Sequence, residues 1–261
     1  MTTSDTTAVI LAAGKGTRMG SDLAKVLHPL GGRPLIAHVL ATCARLGLRE
    51  TVAVVGYQRE AVEAVVRPVG AAVAVQDQQL GTGHAVLCAE AAVHGGTVLV
   101  LYGDCPLIPA ALLRRLLAHH AATGAACSVV AARLTDPARY GRMITDAQGR
   151  LARIVEYKDA SPAERAVQLI NTGIYAFRAA DLFRALREVR PTNAQGEYYL
   201  TDVVALLVAA RQPVELVVTD DVAGVMGINT PEELAGAESL VSGGAGGELV
   251  RKSGSPEVRE S

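Results

Sequence analysis

Apolar residues in this chain fall in short unbroken runs separated by helical spacings. Residues 8–13 are apolar throughout, which suits a parallel strand buried on both faces. Pro34 opens a segment in which Leu35, Ile36, Val39, Leu40, Cys43 and Leu46 share one helical face, closed by Gly47. The same reading predicts strands over 51–55, 71–75 and 97–102, and helices over 58–66 and 82–93. Such a βαβ succession predicts an α/β fold, a mostly parallel mixed sheet flanked by helices.

After Arg133 the rhythm changes. Residues 142–145 and 151–155 flank Asp146-Ala147-Gln148-Gly149, a β-hairpin signal. Strands over 169–177 and 214–218 and helices over 179–189, 201–211 and 231–241 complete the pattern. Residues 134–229 are expected to be a smaller extension packed on the same sheet. From Ser242 the chain mixes glycine, serine and charge without periodicity, so 1–241 reads as one domain and 242–261 as a flexible tail.

Composition narrows the function. At 261 residues there is length for one large domain, and 25 Lys plus Arg against 26 Asp plus Glu leave no basic field to recruit nucleic acid. Aromatics are 3% and Trp is absent, which disfavours base-stacking platforms. Hydrophobic residues reach 50%, yet none of their runs approaches the roughly 18 residues of a membrane span, so no membrane partner is expected. The start, MTTSDTTAV, has no basic region or long apolar core of a secretory signal. Cys43, Cys88, Cys105 and Cys127 lack CxxC spacing and read as reduced thiols of a cytoplasmic protein.

The chemistry concentrates after the first strand, in Leu11-Ala12-Ala13-Gly14-Lys15-Gly16-Thr17-Arg18-Met19, followed by Lys25. Leu11, Ala12, Ala13 and Gly14 let a phosphate or base approach the backbone, and Arg18 and Lys25 add fixed positive charge. Gly14, Gly16 and Gly20 make GxGxxxG, which misses the dinucleotide fingerprint by one residue, and no GxxxxGK[ST] occurs. Gly103-Asp104 ends another predicted strand, where Asp104 could hold a hard cation or only cap a turn. Asn229, before Thr230-Pro231, could be a ligand or only a helix N-cap.

LAAGKGTRM (11–19), KVLH (25–28), QLGTGHA (79–85), LYGDCPL (101–107), YGR (140–142), VEYKDA (155–160), INTG (170–173) and NAQGEYYLTD (193–202) stand in order along residues 8–235. Together they resemble the uridylyltransferase domain of the bacterial bifunctional N-acetylglucosamine-1-phosphate uridyltransferase/glucosamine-1-phosphate acetyltransferase family. The resemblance implies a Rossmann-like nucleotide-diphospho-sugar transferase fold with a sugar-binding hairpin extension. It also implies a Mg²⁺-dependent reaction of UTP with N-acetylglucosamine 1-phosphate, giving UDP-N-acetylglucosamine, a cell-wall precursor, and pyrophosphate. Arg18 and Lys25 would be catalytic, Asp104 and Asn229 would hold Mg²⁺, and Gln76, Gly81 and Thr82 would meet the base. Gly141, Glu156 and Asn171 would meet the sugar, with Tyr198 and Tyr199 available to wall its acetamido group; His28 and His84 receive no proton-transfer role.

Departures from the family are Ala24 in place of a usual proline, Tyr157 in place of a common histidine, and INTPEEL (228–234). No hexapeptide repeats follow residue 241, so acetyl transfer and the trimerising β-helix are not expected, and a monomer is compatible with the sequence. The alternatives are a nucleotidyltransferase for another sugar 1-phosphate or nucleotide, a non-catalytic sugar-nucleotide sensor, and an oxidoreductase disfavoured by the glycine spacing.

Overall fold

The computed structural model describes the backbone of residues 3–250 and the side chains of residues 3–242. In chain order the elements are β1 (Thr6–Ala12), β2 (Pro29–Leu30), β3 (Arg33–Pro34), α1 (Leu35–Ala44), β4 (Glu50–Val55), α2 (Arg59–Val66), β5 (Ala72–Val75), α3 (Thr82–Cys88), β6 (Thr97–Tyr102) and α4 (Ala110–Thr123). Then come β7 (Cys127–Arg133), β8 (Arg142–Thr145), β9 (Leu151–Val155), α5 (Pro162–Arg165), β10 (Leu169–Arg178), α6 (Ala179–Leu186), α7 (Asp202–Ala209), β11 (Val214–Thr219), α8 (Val222–Val225) and α9 (Pro231–Val250).

Among the described residues nine strands form one sheet, whose main path runs β11-β7-β10-β6-β1-β4-β5. The β6-β1-β4-β5 half is parallel, with Val9 paired to Val52 and to Val100. β10 enters reversed, antiparallel to both β6 and β7, and β11 returns parallel to β7. The β8–β9 hairpin hangs from β10 at Ile170–Arg142. The expected extension over 134–229 is therefore narrower than its span. β10 and β11 lie on the main path of the sheet, and the β8–β9 hairpin pairs off it.

The unbroken apolar runs follow from burial on both faces. Alternate residues Ala8, Ile10, Leu99 and Leu101 pack under α1, α2 and α4. Val9, Leu11, Val98 and Val100 pack on the other face with α3, α6 and α7. Each fully buried aliphatic side chain contributes about 1.5–3 kcal/mol, so a strand with both faces covered needs apolar residues at every position.

Several elements have no counterpart in the sequence expectation. α4 and β7 lie between the Asp104 turn and Arg133, where a full helix-and-strand unit closes the sheet. α5 is another, and its capping box is written in Ser161 and Glu164: Ser161 Oγ accepts from Glu164 N, and Glu164 Oε2 accepts from Ser161 N. The tail does not begin at Ser242. α9 is anchored on the β2–β3 ribbon by Leu234, Ala237 and Val241 beside Leu30 and Leu35. Its backbone continues helical to Val250. The rest of the expected tail, 251–261, lies outside the described residues.

Phe177 on β10 is fully buried and its ring centroid lies 5.2 Å from that of Tyr175, nearly stacked. Phe177→Ala should lower unfolding free energy by about 3–5 kcal/mol, the cost of a buried aromatic cavity, measured as a shifted urea midpoint at unchanged slope.

Candidate functional site

The carboxyl ends of β1 and β6 carry the first half of the site. At the loop after β1, Gly16 has φ 71°, and a Cβ there would stand 2.4 Å from Lys25 Cβ. Only glycine lets Lys25 pass beneath this turn. The Lys25 ammonium then bonds Asp104 Oδ2 and, at 3.0 Å, Asn229 Oδ1. Arg18 donates to the same Asn229 oxygen at 2.9 Å.

Asp104 is only 5% exposed. Its carbonyl accepts from Ile228 N at 2.8 Å, which ties the end of β6 to the segment before α9. Asn229 Nδ2 donates to the Gly227 carbonyl, leaving Oδ1 turned to the two cations. The N-cap alternative for Asn229 is settled locally, since Thr230 Oγ1 receives Glu233 N.

A divalent cation fits this donor set. One carboxylate and one amide oxygen face a single positive centre, and hard oxygen donors in this number suit Mg²⁺ completed by substrate phosphates and water. Among the described residues no group of three or more His, Cys, Asp or Glu could hold a metal by itself.

The second half of the site depends on an irregularity in β10. Asn171 pairs with Ala131 and Tyr175 with Val129, four residues of β10 against two of β7. The bulge carries Gly173 (φ 79°) against the Tyr102 ring and parts β10 from β6 beyond Tyr175–Val100. Into that gap come Asn171, whose N–H donates to the Gly141 carbonyl at 2.9 Å, and Glu156 from the end of β9. A Cβ on Gly141 would lie 3.4 Å from Glu156 Oε2 and 3.5 Å from Asn171 Cβ, so the three residues meet. Burial raises the Glu156 pKa, opposed by the hydroxyl of Thr201, which donates to Oε1, and assisted by the carboxylates of Asp159, Asp202 and Glu197.

Arg142 braces this wall from behind. It is 2% exposed, and its guanidinium donates to the carbonyls of Ala138, Tyr140 and Arg165. On the near rim, Lys158 donates to Gln195 and Ala194 N donates to Asp159.

A third group lies beyond Tyr102. Gly81 (φ 112°) could not carry a side chain, since its Cβ would stand 2.6 Å from the Tyr198 carbonyl. Gly83 N donates to that carbonyl, Tyr198 N to the Leu80 carbonyl, and Leu200 N to Thr82 Oγ1. The 81–83 turn is thus clamped on residues 198–200.

A cavity of about 630 Å³ unites the first two groups: Arg18, Lys25, Asp104, Gly141, Glu156, Asn171 and Asn229 all line it. Leu11, Ala12, Ala13 and Gly14, with Gln76, Gly81 and Thr82, lie outside its wall, at or beyond the carboxyl ends of β1 and β5. Tyr199 lines the cavity, whereas Tyr198 packs toward His84 at 6.4 Å between ring centroids. Lys15 is drawn off to Asp22 and the Tyr57 ring. Tyr102, Tyr140, Arg139, Lys158 and Gln195 also line it and were not singled out; only their place inside matching motifs or beside them could have marked them.

The chain matches the MobA-like NTP transferase domain over residues 8–201. It is 49% identical over 239 residues to the bifunctional protein GlmU of Pelotomaculum thermopropionicum, covering 91% of this chain and 52% of that protein. GlmU of Novosphingobium aromaticivorans is 48% identical over 233 residues, 88% of this chain and 51% of that one. GlmU of Desulfotalea psychrophila is 46% identical over 232 residues, 88% and 68% respectively. The chain spans about half the length of the first two of these relatives. Among the described residues no helix is long and apolar enough to cross a membrane.

Glu156 should titrate above the usual glutamate range in a carbon-detected NMR titration. Thr201→Val removes the hydrogen bond that favours the carboxylate and should raise it further; an unshifted or lowered value in that variant would contradict the geometry.

Proposed function

Since the chain belongs to the MobA-like NTP transferase domain family, we propose that it joins UTP to N-acetylglucosamine 1-phosphate, releasing pyrophosphate. The observation that carries the reading is the single cavity in which a cation-rich pole, Arg18 and Lys25 around Asp104 and Asn229, faces a hydroxyl-reading pole, Gly141, Glu156 and Asn171. The first suits a triphosphate and the second a sugar. The 46–49% identity to GlmU proteins supports the choice of nucleotide and sugar.

In this reading an oxygen of the sugar phosphate attacks the α-phosphorus of UTP, a new P–O bond forms, and the bond to the β-phosphate breaks with pyrophosphate leaving. The attacking oxygen is already anionic near neutral pH, so no general base is required. The protein supplies alignment and charge. Arg18 and Lys25 neutralise the triphosphate and the charge that grows on the leaving group. Glu156 accepts from sugar hydroxyls, Asn171 orients the ring or its acetamido group, and Tyr199 walls it. Asp104 and Asn229 would hold Mg²⁺, which supplies charge neutralisation at the phosphates when bound. The base falls to Gln76, Gly81 and Thr82, with the backbone of residues 11–14. The free thiols of Cys43, Cys88, Cys105 and Cys127 suit the cytoplasm, where UTP is available.

Pyrophosphate release should be far faster with UTP and N-acetylglucosamine 1-phosphate than with ATP, GTP or glucose 1-phosphate. Preference for glucose 1-phosphate would overturn the sugar assignment. Asp104→Ala should fold, by circular dichroism, and lose at least about a hundredfold in turnover, roughly 2.7 kcal/mol. Lys25→Ala should lower kcat more than it raises the KM for UTP, as for a group acting mainly in the transition state, whereas Glu156→Ala should act chiefly on the KM for the sugar phosphate.

A further inference from the structure

We propose that His84 sets the pyrimidine preference of the nucleotide site by fixing which end of the Gln76 amide faces the base. The inference rests on the uridylyl-transfer reading and deepens it. His84 is assigned no contact with nucleotide, sugar or metal; it acts through Gln76 as a positioning residue.

Gln76 follows β5 directly and is 3% exposed, its N–H held by the Val55 carbonyl at 2.8 Å. Its Nε2 lies 3.0 Å from the Gly81 carbonyl oxygen and 3.0 Å from His84 Nδ1. A backbone carbonyl only accepts, so the amide atom facing it is the nitrogen, and one N–H is spent there. The second N–H points to His84 Nδ1, which therefore carries the lone pair. The ring is then the neutral Nε2–H tautomer, with Nε2 directed at Cys88 Sγ, 3.8 Å away on the next turn of α3.

Both Nε2 hydrogens are committed, and among the described residues no group donates to Gln76 Oε1. Gln76 therefore offers a ligand an acceptor and no donor. Uracil has a hydrogen on N3; cytosine has a lone pair there. The fixed amide can pair with the first and is repelled by the second.

An unconstrained glutamine would not discriminate, because rotating the amide by half a turn exchanges acceptor for donor at little cost. Here the rotated amide would bring Oε1 against the Gly81 carbonyl and the His84 lone pair, leaving buried polar atoms without hydrogen bonds. The Gly81 carbonyl is one restraint, and it is shared with Ala85 N at 3.1 Å. His84 is the second. It stands on the first turn of α3, and its Tyr198 neighbour belongs to the segment that clamps Gly81 and Gly83.

The test measures kcat/KM for UTP and for CTP, each with N-acetylglucosamine 1-phosphate, in the wild type, His84→Leu and His84→Asn. Leucine fills space without an acceptor, while the asparagine Oδ1 can stand near the Nδ1 position and accept. His84→Leu should reduce the UTP-over-CTP preference at least about tenfold, through the KM values of the two nucleotides, with kcat for UTP within about threefold of wild type. His84→Asn should restore most of the preference. A preference in His84→Leu within about threefold of wild type, or an asparagine variant no better than the leucine one, would overturn the role. Should His84→Leu fail to fold, nitrogen-15 NMR of the wild-type imidazole decides: the neutral Nε2–H tautomer supports the assignment and the Nδ1–H tautomer overturns it. A wild-type enzyme that uses CTP as well as UTP would instead overturn the uridylyl reading itself, an outcome separate from any effect of His84.

Discussion

One ammonium group organises the cation-rich pole. Lys25 Nζ bridges Asp104 and Asn229, residues 79 and 204 positions away, and Arg18 reaches the same asparagine across 211 positions. At a separation of ~4 Å an ion pair gains ~1 kcal/mol in water and ~4 kcal/mol at an effective dielectric constant of 20. The Asp104 and Lys25 side chains are 7% and 19% exposed, so this pair lies well inside the water limit while desolvation opposes it. What the arrangement secures is geometry. Two oxygens from distant parts of the chain are held converged on one ammonium group.

That convergence needs backbones that approach one another closely. Gly16 lets the lysine stem cross under the first loop, and Gly81 and Gly83 sit directly on the Tyr198 backbone. Loops held this way keep their shape through main-chain hydrogen bonds and depend little on the side chains they present. The bulge in β10 supplies the remaining space, turning what would be a continuous sheet into a cleft between β6 and β10.

The parallel half of the fold was legible because its strands carry unbroken apolar runs and its helices carry one clear face. The hairpin at Asp146–Gly149 was equally plain: Asp146 Oδ1 accepts from Gln148 N and Arg150 N, and Gly149 takes the left-handed position. The reversal of β10 was not legible, since an antiparallel strand covered on both faces has the same apolar run as a parallel one. Nor could local pattern reveal that Gln76 spends both amide hydrogens inside the protein, because its partners are a carbonyl and a ring set by the docking of another segment. Arg18, Lys25 and Asp104 stand out in the sequence as charged residues next to predicted strand ends, whereas the sequence leaves open whether Asn229 or Thr230 caps α9, and Thr230 does so.

Asn229 carries a further consequence for how the site comes into being. Every other polar group of the cation-rich pole lies in the first 104 residues, and the segment matched by the family ends at residue 201. The oxygen on which Arg18 and Lys25 converge arrives only when the chain from Gly227 to α9 folds back to the end of β6. During synthesis the sheet can therefore close as far as β11 before the Asn229 oxygen reaches Arg18 and Lys25.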